Sequence, residues 1–149
     1  MKIAKEKWLA RLKPIHKHFS NKVYSKIGTK ISNLLQSLRK RSSECKDSTF
    51  SVTRDELELK LYNAYGRPCP YCGKQLKVNK SNGMVCDHIV PLVAGGDSSN
   101  ENLQFICRTC NTRKDVLSHD DFQALLDWLN TQSKDLKLHV LGKLSKQRF

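Results

Sequence analysis

The residues of this chain whose types and spacing can do chemistry are two Cys-x-x-Cys pairs, Cys69–Cys72 and Cys107–Cys110, the Asp87-His88 step between them, and Asn111 directly after the last thiol. Four thiolates can close a tetrahedral cage around one zinc ion. A cage of four protein ligands leaves no position open to a substrate, so it can frame a reaction but not perform one. Asp87-His88 sets a carboxylate beside an imidazole, and Asn111 adds an amide oxygen. Hard divalent cations such as magnesium take oxygen ligands, usually one or two from the protein and the rest from water and phosphate. An imidazole, with an ordinary pKa of about 6.5, can act as a general base near neutral pH. A base, an activated water and a cation facing the developing charge are what phosphodiester hydrolysis requires. Neighbouring strand residues point to opposite faces, so Asp87 and His88 can serve one site only where a strand ends or twists. Pro91 and Gly95-Gly96 are consistent with an ending nearby.

Thirty-four residues separate Cys72 from Cys107, more than the roughly 15–20 of a compact four-cysteine finger. The excess is an insertion whose two ends the metal would hold together. Cys86 and Cys45 have no partner pair: the first reads as a small apolar side chain, the second as a lone thiol.

The elements that must position these groups can be read in outline. A chain of 149 residues with 38% hydrophobic content supports about one domain with a modest core, the kind a metal staple stabilises. No apolar leader follows Met1 and no transmembrane run occurs, so a cytoplasmic location with reduced thiols is expected. The net charge of +13 is lopsided. Residues 1–46 carry 13 Lys and Arg against two acids, Glu6 and Glu44, a net +11. Residues 47–149 carry 14 against 12, a net +2. Such a basic block draws a polyanion by releasing its counterions, without reading base sequence. Lys2–Arg11 reads as a helix that Pro14 ends or kinks. Ile27, Ile31, Leu34, Leu35 and Leu38 form the apolar stripe of an amphipathic helix. Lys26, Lys30, Arg39, Lys40 and Arg41 lie off that stripe, as candidate phosphate contacts.

Thr53-Arg54-Asp55-Glu56 has the capping-box pattern, and Gly66 and Pro68 stop the helix it opens. Leu76–Val78 reads as a short strand, followed by an Asn82-Gly83 turn. Met84 to about His88 and Leu103–Ile106 read as strands, and a helix is expected from near Asn111. Ser118–Asp121 caps a further helix with Phe122, Leu125, Leu126 and Leu129 on one face. From Lys134 the pattern fits a strand, a helix or a docked arm. Boundaries follow at 1–52, 53–117 and 118–149: a basic helical extension, a core with the cysteines, and a C-terminal helix with a basic tail.

The run Cys69-x-x-Cys72, Asp87-His88-Ile89-Val90-Pro91-Leu92, Gly95-Gly96, Asn102-Leu103, Cys107-x-x-Cys110-Asn111 and Lys114 resembles the HNH endonucleases, and more narrowly their His-Asn-Asn variant with a four-cysteine zinc site. The resemblance spans residues 69–114. It implies an α+β fold with a ββα-metal core, two antiparallel strands and a helix around one divalent cation, stapled by zinc and flanked by N-terminal basic helices and a C-terminal helical extension. It also implies that His88 is the general base, that Asn102 fixes the loop and orients the histidine, and that Asp87 and Asn111 bind the cation. An amide at the last position favours Mg²⁺ or Mn²⁺ over softer metals. Arg113 and Lys114 on the motif helix become candidate contacts to DNA. His16, His18, His119 and His139 match no part of the motif.

The expected activity is metal-dependent cleavage of DNA to 5′-phosphate and 3′-hydroxyl ends, in a bacterial cell or one hosting a phage. A non-catalytic, zinc-stapled DNA-binding module would account equally well for the cysteines and the basic N-terminus. It would leave Asp87, His88, Asn102 and Asn111 without a reason to occur together. No heptad pattern selects among a monomer, a homodimer and a complex with a protein partner.

Overall fold

The structure, a computed structural model, describes residues 21–78 and 83–147. The expected helix at residues 2–11, Pro14, His16, His18 and the first residue of the Asn82-Gly83 turn lie outside them. Helix α1 (Asn21–Glu44) buries Ile27, Ile31 and Leu38 almost completely, while Leu34 and Leu35 pack against the same core. Each such side chain is worth about 1.5–3 kcal/mol when removed from water, enough to hold a helix whose other positions are mostly basic or polar.

Helix α2 (Arg54–Ala64) opens on the capping box expected at Thr53: the Thr53 hydroxyl accepts from Glu56 N at 3.2 Å, and Thr53 N donates to the Glu56 carboxylate at 2.8 Å. Arg54 ties α2 to α1 through the Ser32 hydroxyl and the Gly28 carbonyl. Leu57, Leu61 and Tyr62 face the core. Gly66, with φ of +77°, turns the chain in a left-handed conformation that a side chain would disfavour. The expected strand at Leu76–Val78 is replaced by a tight knuckle, in which a single bridge pairs Pro68 with Gln75. Leu76 exchanges backbone hydrogen bonds with Gly66 and Arg67 across the turn at Cys69–Gly73, and Lys77 O accepts from Met84 N at 2.9 Å, but no regular ladder forms.

Strands β1 (Met84–His88) and β2 (Leu103–Cys107) pair antiparallel, with Asp87 opposite Gln104 and His88 opposite Leu103. Between them a one-turn 3₁₀ helix, Leu92–Ala94, opens the connecting loop. Helix α3 (Arg108–Lys114) starts on Cys107, whose sulfur accepts from Cys110 N; it begins three residues before the expected Asn111. Helices α4 (His119–Asn130) and α5 (Lys134–Lys146) follow, capped by Ser118 and Ser133. The ambiguous leucine pattern after Lys134 is therefore a helix. Leu129, Leu141 and Leu144 form a small second cluster, and α5 lies against α3.

The architecture is α+β: a two-stranded sheet with helices around it. Ile27, Ile31 and Leu38 of α1 share one buried cluster with Leu57, Leu61, Met84, Leu103, Ile106 and Phe122. Residues on both sides of positions 52 and 117 thus contribute to a common core. Among the described residues no helix is long and apolar enough to cross a membrane.

The four cysteines of the two pairs meet beside this sheet. All four sulfurs lie within 4.8 Å of one another, three of the residues buried and Cys72 exposed. Cys72 Sγ and Cys107 Sγ are 3.6 Å apart, near the edge of roughly 3.8 Å implied by a tetrahedron with metal–sulfur bonds of about 2.3 Å. The donor set and its spacing fit a structural metal. Hydrogen bonds from the Cys107 and Cys110 thiols pull the Cys69 thiol far below its ordinary range, while contact with Cys107, and next with Cys69, pushes Cys110 up. Cys107→Ser is expected to bring the metal content of the purified protein below one equivalent per chain and to lower its Tm by more than about 10 °C, since ligand binding and folding share one free energy. Metal analysis and calorimetry check both. A metal-free Cys107→Ser protein with an unchanged Tm would show that the cluster is not structural.

Candidate active site

Asp87 and His88 are the last two residues of β1, and both are buried, at 8% and 6% exposure. The strand ends on His88, so the two side chains reach different neighbours and still border one cleft. That cleft, of about 400 Å³, is lined by Asp87 and His88 from β1, Asn111 and Thr112 from α3, and Arg41 and Glu44 from α1, with Asp115 and Val116 beyond α3. The structure therefore brings together three of the four oxygen- and nitrogen-bearing residues singled out in the sequence, Asp87, His88 and Asn111.

The fourth, Asn102, works from behind. Its Oδ1 accepts from Val90 N at 2.8 Å, and its Nδ2 donates to Val90 O at 2.9 Å and Asp97 O at 2.8 Å. One amide thus staples the chain just after His88 to the far side of the connecting loop. Gly96 lies against the same staple. A Cβ placed there would fall 1.9 Å from the Val90 carbonyl oxygen and 2.9 Å from Asn102 Nδ2, so space, not backbone conformation, demands glycine.

His88 Nε2 lies 2.9 Å from the Ser98 hydroxyl, which is itself 2.7 Å from the Ser42 hydroxyl. Burial, reinforced by the positive charge of Arg41, pushes the His88 pKa down to about 4 against the opposing pull of Asp87. The imidazole is neutral at pH 7, the state a general base needs.

Asp87 is held from two sides. Gln104, directly across the ladder, donates to Asp87 Oδ2 at 3.0 Å, and Lys114 approaches the same oxygen at 3.1 Å and Oδ1 at 3.4 Å. Lys114 also donates to the His88 carbonyl at 2.9 Å. A carboxylate has about four lone-pair positions, so Oδ1, with one long contact, keeps capacity for a cation at the cleft. Together with the Asn111 amide this is a hard, oxygen-based donor pair that fits a magnesium-type ion. Gln104 further donates to Tyr71 OH at 2.9 Å, and Tyr71 OH lies 2.7 Å from His119 Nδ1. His119, outside the motif, is thus a structural link to α4.

The expected DNA contacts divide. Arg41 borders the cleft. Arg39 and Lys40 are exposed near it on α1, Arg39 with its guanidinium 5.1 Å from the Phe50 ring centre and Lys40 beside Glu44. Lys26 and Lys30 line a separate groove on α1, and desolvation lowers the Lys30 pKa. Arg113 is half-buried and donates to the Ser145 hydroxyl of α5 at 2.7 Å. Lys114 requires a correction: it is 1% exposed, its ammonium committed to Asp87 and to the strand, so it cannot reach a phosphate as placed. Ser42, Ser98 and Gln104 were not identified from the sequence. Gln104 carried a signal, a polar residue between Leu103 and Phe105 in an otherwise apolar strand. Ser98 lay in a loop of similar polar residues and carried none.

Gly96→Ala is expected to cost about 1–3 kcal/mol, the usual range for forced overpacking. Urea unfolding of wild type and variant reads it, and an unchanged midpoint would show that the loop has room. Lys114→Met is expected to cost about 3–5 kcal/mol by leaving Asp87 buried without its partner, with the salt dependence of DNA binding unchanged. A smaller salt slope at undiminished stability would instead make Lys114 a phosphate contact.

No curated protein and no solved structure shows a significant match to the chain. The segment that supplies the four sulfurs, Asp87, His88, Asn102 and Asn111 is similar to one known family: residues 69–116 match the HNH endonuclease family model.

Proposed function

We propose that the chain is a metal-dependent DNA endonuclease, with zinc at Cys69, Cys72, Cys107 and Cys110 and an exchangeable Mg²⁺ or Mn²⁺ held by Asp87 and Asn111. The observation that carries this reading is the cleft itself, where a buried histidine, a carboxylate with a free lone pair and an amide converge beside an arginine. The divalent ion, when bound, would supply positive charge opposite the charge that develops on phosphate oxygens. The remaining steps belong to side chains of the chain. With Nε2 engaged by Ser98, His88 takes a proton from water at Nδ1. The oxygen of that water bonds to phosphorus as the bond to O3′ breaks. O3′ keeps the electron pair and takes a proton from solvent water, His88 returns its proton to solvent, and a 3′-hydroxyl and a 5′-phosphate remain. Arg41 at the rim can hold a non-bridging oxygen or an adjacent phosphate. The +11 charge of residues 1–46 raises the local concentration of duplex and positions it without specifying sequence.

Supercoiled plasmid incubated with Mg²⁺ or Mn²⁺ tests the reading. Wild type is expected to convert it to nicked or linear form, and His88→Ala to be slower by about 10²–10⁴-fold, the usual contribution of a general base, with DNA binding retained. Equal cleavage by both proteins would remove His88 from the reaction. Binding without cleavage by wild type on plasmid, branched and single-stranded DNA with either metal would instead favour the non-catalytic DNA-binding module.

A further inference from the structure

Ser98 is fully buried and Ser42 is 4% exposed, yet their hydroxyls lie in a line that ends on His88 Nε2, at 2.7 Å and 2.9 Å. A buried hydroxyl is retained where its hydrogen bonds are made, since an unpaired one costs free energy. The backbone of Ser98 is fastened just as firmly. Ser98 N donates to Thr49 O at 2.8 Å, and Ser98 O accepts from Ser51 N at 3.2 Å and Val52 N at 3.0 Å. Asn102 anchors the preceding carbonyl, that of Asp97. Ser42, Thr49, Ser51 and Val52 all precede residue 69, where the HNH segment begins. The polypeptide ahead of that segment therefore grips the residue whose hydroxyl meets His88 Nε2.

The direction of this line of hydrogen bonds decides the tautomer. A neutral imidazole carries one proton, and a histidine that accepts from water at Nδ1 must already carry it on Nε2. Ser98 Oγ then accepts from Nε2–H, and its own proton runs to Ser42 Oγ. The same arrangement survives when His88 gains its second proton, because Nε2 remains a donor and Ser98 an acceptor. The opposite direction, Ser42 to Ser98 to Nε2, would put the proton on Nδ1 and block it as a base.

We propose that Ser98 and Ser42 are positioning residues that hold His88 in its Nε2-protonated tautomer, so that helix α1 completes the active site of the HNH segment as well as meeting DNA. The direction of the line rests on the nuclease reading, which makes Nδ1 the acceptor from water; the contacts at Nε2 do not. Nitrogen NMR of ¹⁵N-histidine-labelled full chain at neutral pH reads the tautomer directly. Wild type is expected to show His88 with the Nε2–H signature, and Ser98→Ala to show an exchanging mixture. Ser42→Ala/Ser98→Ala, which leaves neither hydroxyl orphaned, is expected to match Ser98→Ala and to serve where the single variant folds poorly. An Nδ1–H signature in wild type, or an Nε2–H signature unchanged in the double variant, would overturn the proposal.

Cleavage of a short duplex supplies the second arm. Ser98→Ala is expected to lose about 10–100-fold in kcat, by analogy with the loss when a metal-bound histidine is deprived of its orienting partner, at unchanged KM. The double variant should lose no more, because Ser42 acts only through Ser98. Losses that multiply, or that appear in KM alone, would refute the relay. Nε2–H in wild type and its loss in the variants, in a chain that cuts no DNA, would uphold the tautomer assignment and reject the nuclease reading.

Discussion

Everything near the cleft depends on four sulfurs lying within 4.8 Å of one another. Four thiolates at that distance would repel strongly without a cation among them, so the cluster is suited to a structural metal whose binding would add to folding free energy. The effect is geometric as well as energetic. Cys107 is both the last residue of β2 and the N-cap of α3, and Cys110 lies in the first turn of that helix. Anchoring these two sulfurs against Cys69 and Cys72 fixes the direction in which α3 leaves the strand. That direction carries Asn111 to the rim of the cleft and Lys114 beneath Asp87. A two-stranded sheet alone is marginal in water; here its end is tied by ligands and not by further strands.

Charge in the site is arranged by depth. Asp87 and Lys114 form a buried ion pair, at 9% and 1% side-chain exposure. Such pairs return little net stability, because desolvating both groups offsets most of their attraction. Retaining one next to the candidate cation site makes more sense as orientation than as stabilisation. Lys114 also bonds the His88 carbonyl, so one ammonium fixes the end of β1 and the rotation of the carboxylate together. His88 is treated in the opposite way. It is desolvated, close to Arg41, and touched at Nε2 by a hydroxyl with no charge. The carboxylate is paired with an ammonium and the imidazole with an uncharged hydroxyl, although the two residues are adjacent in sequence.

The parts legible in the sequence are those where local chemistry specifies structure. The Thr53–Glu56 capping box, the stripe from Ile27 to Leu38, the two strands and the cysteine spacing each declare themselves within a few residues, and each occurs where expected. Residues whose role depends on distant contacts did not declare themselves. Lys114 looks like an exposed helix lysine until α3 is laid on β1. Leu76–Val78 alternates like a strand, but its backbone bonds go to Gly66 and Arg67 on one side and to Met84 on the other, and these isolated bonds do not extend into a ladder. Ser42 and Ser98 are 56 positions apart and meet only because Thr49–Val52 lies along the connecting loop. No local pattern could couple them.

That last contact alters how the basic N-terminal region is understood. Read as composition, its charge is a generic grip on a polyanion, separable from the chemistry. In the structure, one helix face is buried in the same core as the sheet, Ser42 on that helix ends the hydroxyl line to His88, and Arg41, one residue before it, borders the cleft. Successive helical residues diverge by about 100°, so Ser42 can point into the protein while Arg41 faces substrate. A phosphate drawn to Arg41 would pull on the same turn of helix that steadies the base. One turn of α1 thus supplies both a cation at the cleft and a hydroxyl behind His88.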